Sequence, residues 1–263
     1  MARAAIRVGI GGWVFPEWRG SFYPEGLAQK RELEYASSKL GSIEINGTFY
    51  GSQKPESFLK WHDETPDDFV FSLKGPRFAT NRRVLAEAGP SIEKFLSSGV
   101  TGLKKKLGVI NWQFAPTKKF EPDDFAGFLA LLPKKHEGIA LRHAVEVRHE
   151  SFLSKDFIDL VREHGVAVVT AADSKYPQIG DITAPFVYAR IMGTVEEEKL
   201  GYSKKALNQW AARAKEWAES RVPKDINTVG QATKLPVINV FLYVISGAKT
   251  RNPHAAMAIA ERL

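Results

Sequence analysis

The chain predicts an α/β fold closed into a single TIM-type (β/α)8 barrel, and three observations predict it. Short apolar runs alternate with longer amphipathic stretches from one end to the other. Eight such runs occur, the number a closed parallel barrel uses. No Gly-x-Gly-x-x-Gly turn follows the first run, as an open dinucleotide-binding sheet needs; Gly9-Ile10-Gly11-Gly12 only approximates it. At 263 residues, 44% of them hydrophobic, the chain has the size of one barrel and is read as one domain over residues 1–263.

In chain order the expected strands are Ile6–Gly12, Ser42–Thr48, Phe69–Lys74 and Leu107–Phe114, then Ala144–His149, Val166–Ala172, Phe186–Met192 and Val237–Ile245. Helical spacing falls between them. It covers Glu25–Leu40, Pro55–Asp63, Ser91–Ser97 and Asp123–Leu132, then Lys155–His164, Lys204–Ser220 and Pro253–Leu263. No internal repeat, low-complexity tract or linker interrupts this order.

Composition excludes several chemistries. There is no cysteine, hence no disulfide, no thiolate nucleophile and no zinc or iron–sulfur site built on thiolates, and the cytosol is the expected compartment. The start Met1-Ala2-Arg3-Ala4-Ala5-Ile6 lacks the apolar stretch of a signal peptide, and no window approaches the roughly 18 apolar residues of a membrane span. Lys plus Arg number 37 against 30 for Asp plus Glu. The runs Lys104-Lys105-Lys106, Lys118-Lys119, Lys134-Lys135 and Lys204-Lys205 read either as solvated helix ends or as attraction for a polyanion.

Barrel strands present alternate residues to the helices and to the interior, so a polar residue between apolar ones reveals its direction. In Ile43-Glu44-Ile45-Asn46-Gly47-Thr48 the isoleucines face the helices, which sends Glu44, Asn46 and Thr48 inward. By the same parity Glu146 and Arg148, Ser72 and Lys74, Asn111 and Gln113, and Tyr188 and Arg190 point inward, while Trp112 and Phe114 point out into the core. Asp173 sits just past the sixth strand. Glu44, Glu146 and Asp173 then balance Lys74, Arg148 and Arg190, as buried charges must if they are not to cost several kcal/mol each. Such a network either plugs the upper barrel or forms a site where barrels place their chemistry.

As chemistry, Glu44 and Glu146 suit a general acid and base, or carboxylates that orient Arg148. Lys74 suits an anion ligand or a desolvated nucleophilic amine. After the last strand, Ser246-Gly247-Ala248-Lys249-Thr250-Arg251-Asn252-Pro253 reads as a helix start with Asn252 as N-cap, and Lys249 and Arg251 then suit a phosphate. Gly193-Thr194 can add amides to it. The aromatic loop holding Trp13 and Trp18, with Tyr50 nearby, suits either stacking on a base or sugar or a local cluster against the rim. Of six histidines only His149 ends a strand and no His-x-x-x-His pair occurs, so no metal site and no cofactor are predicted; a carboxylate-held divalent metal stays open.

These residues resemble the YecE-like proteins, also called domain of unknown function seventy-two, over nearly the whole chain. The likeness rests on Gly11-Gly12-Trp13, Trp18-Arg19-Gly20-Ser21-Phe22-Tyr23-Pro24, Glu44-Ile45-Asn46-Gly47-Thr48-Phe49-Tyr50, Trp61, Thr65-Pro66, Phe69-Val70-Phe71 with Lys74, and Gln113. It continues through Glu146-Val147-Arg148-His149 with Ser151-Phe152, Asp173-Ser174 and Tyr188-Ala189-Arg190. The resemblance implies the barrel and leaves the reaction open. Thr80-Asn81 stands where the family commonly has Thr-His, and Arg190-Ile191-Met192-Gly193 where it has Arg-Leu-His-Gly. Ser246-Gly247-Ala248-Lys249 replaces its paired asparagines, and together these departures weaken a metal-dependent reading.

The expectation is an enzyme, a hydrolase or lyase on a phosphate-bearing or nucleic-acid-derived substrate, with Gln113, Asp173 and Arg190 among its binding residues. Its alternatives are a nucleic-acid-binding protein without turnover and a glycosidase using Glu44 and Glu146. The expected partner is a small-molecule or nucleic-acid anion rather than a membrane.

Overall fold

The computed structural model describes residues 4–263, so Met1, Ala2 and Arg3 of the start examined for a leader lie outside the described residues. Its eight long strands are β1 (Ala5–Gly11), β2 (Ser42–Ile45), β3 (Val70–Lys74), β4 (Leu107–Gln113), β5 (Arg142–Glu146), β6 (Ala167–Ala172), β7 (Phe186–Ile191) and β8 (Asn239–Val244). Each pairs in parallel with its sequence neighbours and β8 returns to β1, which closes the barrel. Parallel neighbours cannot be joined by tight turns, so the connections run over the outside. They carry α1 (Glu32–Lys39), the single-turn α2 (Gly47–Tyr50), α3 (Pro55–Asp63), the single-turn α4 (Arg77–Thr80) and α5 (Gly89–Leu96). The later ones are α6 (Pro122–Ala130), α7 (Lys155–His164), α8 (Lys204–Ala218) and α9 (Asn252–Ala260).

Where boundaries differ from the sequence reading, local hydrogen bonds win over strand propensity. The second strand stops at Ile45 because the Thr48 hydroxyl bonds back to Ile45 O (3.1 Å) and across to Lys74 O (2.7 Å), curling Gly47–Tyr50 into α2. The fifth stops at Glu146 because His149 Nδ1 accepts from Ser151 N (3.1 Å) and caps a 3-10 turn. The long first helix shrinks to α1 behind the 3-10 turn Gln29–Arg31. Between β6 and β7 there is no helix; residues 173–185 form a loop that buries Ile179, Ile182 and Ala184.

Side-chain parity builds two apolar layers. Ile43, Ile45, Trp112, Phe114, Val145 and Val147 face the helices in one core, while Val109, Val169, Phe186 and Phe241 fill the barrel floor. Trp112 is fully buried against Phe95, Phe128 and His143. Burial of such a ring contributes roughly 4–6 kcal/mol before entropy, at about 25 cal/mol per Å². Gly75 makes room for it, since a Cβ there would lie 2.3 Å from Trp112 Cε3.

His143 ties this core together. Its Nδ1 accepts from Trp112 Nε1 (3.1 Å), which leaves the proton on Nε2 to donate to Pro133 O (2.8 Å). Burial, opposed by the Pro133 carbonyl, pulls its pKa from 6.5 down to about 4. The unfolded chain therefore takes up a proton that the folded chain refuses, and stability is lost as pH falls from about 6.5 to about 4. Urea unfolding at several pH values should show a loss of about 3 kcal/mol across that window. In His143→Gln the slope should flatten; an unchanged slope would assign the acid sensitivity to another group.

Candidate functional site

Above the apolar floor the interior turns polar in steps. Ser42 and Tyr243 hydroxyls lie 2.6 Å apart, and Tyr243 donates to Ser72 Oγ at 2.8 Å. The next layer is charged. Arg190 of β7, 2% exposed, donates to Glu44 Oε1 (2.9 Å) and to Glu146 Oε2 (2.5 Å), so one guanidinium bridges carboxylates from β2 and β5. Tyr188 donates to Glu44 Oε2 at 2.6 Å, and Asn111 Nδ2 lies 3.4 Å from both carboxylates. Arg148, just past β5, donates from Nε to Glu146 Oε1 at 2.7 Å.

Electrostatics follow from this geometry. Desolvation opposes ionisation of Glu146, but Arg190, Arg148 and Lys74 outweigh it and hold the carboxyl down at about 2. Burial likewise works against Arg190, and Glu146 and Glu44 overcome it, leaving the guanidinium more firmly protonated than usual. Tyr188 is raised well above its ordinary range by burial and by Glu44 and stays a neutral donor. All four oxygens of Glu44 and Glu146 accept bonds, and both residues are 0% exposed.

Lys74 is the exception. It is 5% exposed, and its Nζ donates to the neutral Gln113 Oε1 (2.6 Å) and lies 4.1 Å above the Phe49 ring. Burial and then Arg190 pull its pKa from 10.5 to about 8, against the opposing pull of Glu44 and Glu146. Gln113 also lies 3.5 Å from Arg190 Nη1 and so links the lysine to the bridge.

The expected third carboxylate is not in this layer. Asp173, in a left-handed conformation (φ 52°), turns its Oδ2 to Tyr202 (3.0 Å) and Trp210 Nε1 (3.2 Å), fastening the loops after β6 and β7 to α8. The balanced set of three anions and three cations is thus corrected to Glu44 and Glu146 against Arg190, Arg148 and Lys74.

Other expected site residues lie elsewhere. Arg251 faces Glu196 Oε2 at 3.3 Å, and Lys249 Nζ sits 4.0 Å over Phe15. Asn252 is inside α9 rather than capping it, because its Oδ1 accepts from Thr194 (2.7 Å); Arg251 holds the N-cap position without a side-chain bond. The two side chains expected to hold a phosphate there thus meet Glu196 and Phe15. Trp18 is 1% exposed, packs on Phe15, Phe22 and Tyr23, and donates to Lys249 O at 2.8 Å, so it staples the aromatic loop to the chain after β8. Trp13 packs on Trp61 and Phe71, on the helix side of β3. Asn46 holds the N-cap position of α2 without a side-chain bond, its amide packed against Gly11, and Tyr50 is 64% exposed.

The sequence reading missed Tyr176, whose ring lies 4.3 Å from the Arg148 guanidinium and whose hydroxyl accepts from Nη1 at 3.3 Å. It comes from the helix-free loop after β6, where no periodicity points to it. Parity had placed Asn111 and Tyr188 inside without marking them as site residues. Among the described residues no three His, Asp or Glu side chains gather to hold a metal ion, and no helix is long and apolar enough to cross a membrane.

Removing Arg190 leaves Glu44 buried without an ion-pair partner and Glu146 with Arg148 alone. Arg190→Met should cost about 3–5 kcal/mol in denaturant unfolding. A loss below about 1 kcal/mol would mean that water already screens the layer.

A family model described as "Protein of unknown function DUF72" matches residues 7–263, and the chain belongs to that family. It is 29% identical over 153 residues to UPF0759 protein YecE of Escherichia coli (strain K12), a match covering 57% of this chain and 51% of that protein. To UPF0759 protein YunF of Bacillus subtilis (strain 168) it is 26% identical over 190 residues, covering 69% and 64%. The chain thus spans about half to two thirds of the length of these relatives. A DUF72 family protein from Thermotoga maritima superposes with a TM-score of 0.76 at 20% identity, over 98% of both chains. The structure of SacUVDE superposes with a TM-score of 0.55 at 10% identity, over 98% of this chain and 97% of that one, a likeness of fold.

Proposed function

We propose that this DUF72-family chain is a cytosolic enzyme, a hydrolase or lyase, that takes a phosphate-bearing, nucleic-acid-derived substrate into the barrel mouth and uses Lys74 as its acid–base group. One observation carries the reading. The charged layer sets three cations against two carboxylates, both carboxylates are fully engaged, and Lys74 is the cation whose ammonium meets only a neutral acceptor. An entering phosphate supplies the missing charge to Lys74 and to Arg148, whose side chain is 15% exposed.

A pKa of about 8 suits proton transfer near neutrality, because both forms of the amine are populated there. Glu44 and Glu146 then act as positioning residues that aim Arg190 and Arg148. For Glu146 this departs from the expected acid role, since a carboxyl held at about 2 delivers no proton near pH 7; for Glu44 it rests on geometry, both oxygens being engaged by Arg190 and Tyr188. The same low pKa counts against Glu146 as the proton donor of a glycosidase.

Binding a phosphate next to Lys74 favours its charged form. Calorimetry with pyrophosphate at pH 8, in two buffers of different ionisation enthalpy, should therefore show net proton uptake. Affinity should fall as pH rises past about 8, toward tenfold per pH unit once the free lysine is neutral. Lys74→Met should weaken binding about 10- to 100-fold and remove the proton uptake. Lys74→Arg should keep the affinity and lose its pH dependence. Binding that is indifferent to pH between 7 and 9.5 in the unaltered protein would reject the role of Lys74.

A further inference from the structure

Beside the mouth, the loops after β2 and β3 and one face of α5 wall a cavity of about 950 Å³ that none of the preceding roles uses. Its cations are Arg77, Arg82, Arg83 and Lys94, and its lining includes a single carboxylate, Glu87. Among the described residues none of these four cations takes part in an ion pair. The wall is fixed from behind: half-buried Lys118 donates to the carbonyls of Arg82 (3.4 Å) and Arg83 (2.8 Å) and to Asp124 Oδ2 (3.2 Å). Asp124 in turn accepts from Ala86 N at 3.0 Å. The arginines are therefore carried on a braced loop.

Apolar surface lies among these charges. Phe78 is 61% exposed and Val84 40%, with the Arg77 guanidinium 5.7 Å from the Phe78 ring. Tyr50, 64% exposed, precedes Gly51 and Ser52 of the opposite wall. Single exposed apolar residues are ordinary, but an open aromatic ring beside one arginine, in a cavity lined by three further cations, matches a chain that alternates phosphates with flat bases. A duplex keeps its bases stacked inside, and an acidic peptide would meet the charges yet leave Phe78 uncovered. The groove also adjoins the end of β3 that carries Lys74. Thr48 lines it and donates to Lys74 O (2.7 Å), and Phe49 lies beneath the Lys74 ammonium.

We infer that this groove binds single-stranded nucleic acid, its phosphates along Arg77, Arg82, Arg83 and Lys94 and a base stacked on Phe78. The groove stands on its own residues; only the direction of the strand, one end toward Lys74, rests on the function proposed for the mouth. The groove thus deepens that reading from a phosphate-bearing substrate to a polynucleotide.

The test is fluorescence anisotropy of the full chain with an end-labelled thymidine dodecamer. Four neutralised phosphates give a slope of log affinity against log salt of about −3, at about −0.7 each for single strands. The exposed double variant Arg77→Ala/Arg83→Ala should make that slope shallower by about 1.4 and weaken low-salt binding more than tenfold. Phe78→Ala should weaken binding about tenfold with the slope unchanged. Thermal melts near the unaltered value would show that these surface variants fold. Lys74→Met should keep its dodecamer affinity within a few fold while losing the pyrophosphate response, which separates failure at the mouth from failure in the groove. The inference is overturned if the dodecamer does not bind or if the arginine variant binds it as before. It is equally overturned if a duplex or polyglutamate binds as tightly with no effect of Phe78→Ala.

Discussion

The bridge from Arg190 to Glu44 and Glu146 is the contact on which the upper barrel depends. It joins β2, β5 and β7, strands far apart in sequence, through one guanidinium, and Asn111, Tyr188 and Arg148 fill the remaining acceptor positions. Each ion alone is costly to bury, and together they are tolerable because nearly every oxygen and donor has a partner. The bridge also explains why the floor must be apolar and the step above it hydroxylic. Val109, Phe186 and Phe241 exclude water, while the Ser42, Tyr243 and Ser72 hydroxyls mediate the rise to full charge.

From that constraint the mouth acquires its character. With both carboxylates fully buried and engaged, Arg148 and Lys74 are the charged groups of this layer that keep some exposure. Lys74 is desolvated within the same layer, and burial together with Arg190 lowers its pKa while its ammonium bonds only the neutral Gln113. The cationic groove continues this polarity outward along the loops after β2 and β3, so that interior and surface present one sign of charge to an approaching anion.

Much of this was legible in the sequence because a strand's period of two is rigid. Ile43-Glu44-Ile45, Val145-Glu146-Val147 and Tyr188-Ala189-Arg190 each declare their inward residue, and Glu44, Glu146, Tyr188 and Arg190 are all buried in the interior. Parity fails where the strand ends. Asp173 takes a left-handed turn and answers to Tyr202 and Trp210, and Asn252 answers to Thr194, contacts that no repeat encodes. Trp18 looked like a ligand platform because aromatic residues in a loop have the same composition whether they stack on a base or on each other.

The sequence by itself determined the eight-stranded alternation, the inward direction of the ionisable residues and the absence of thiol chemistry, since these follow from local periodicity and composition. Tertiary structure decided which charges are paired, that Lys74 alone meets a neutral partner, and that Arg77, Arg82, Arg83 and Phe78 share one groove. The physical reason is that charge balance, desolvation and concavity are properties of distances between segments. Those distances are set by how β2, β3, β5 and β7 come around the barrel, not by the spacing of residues along any one of them.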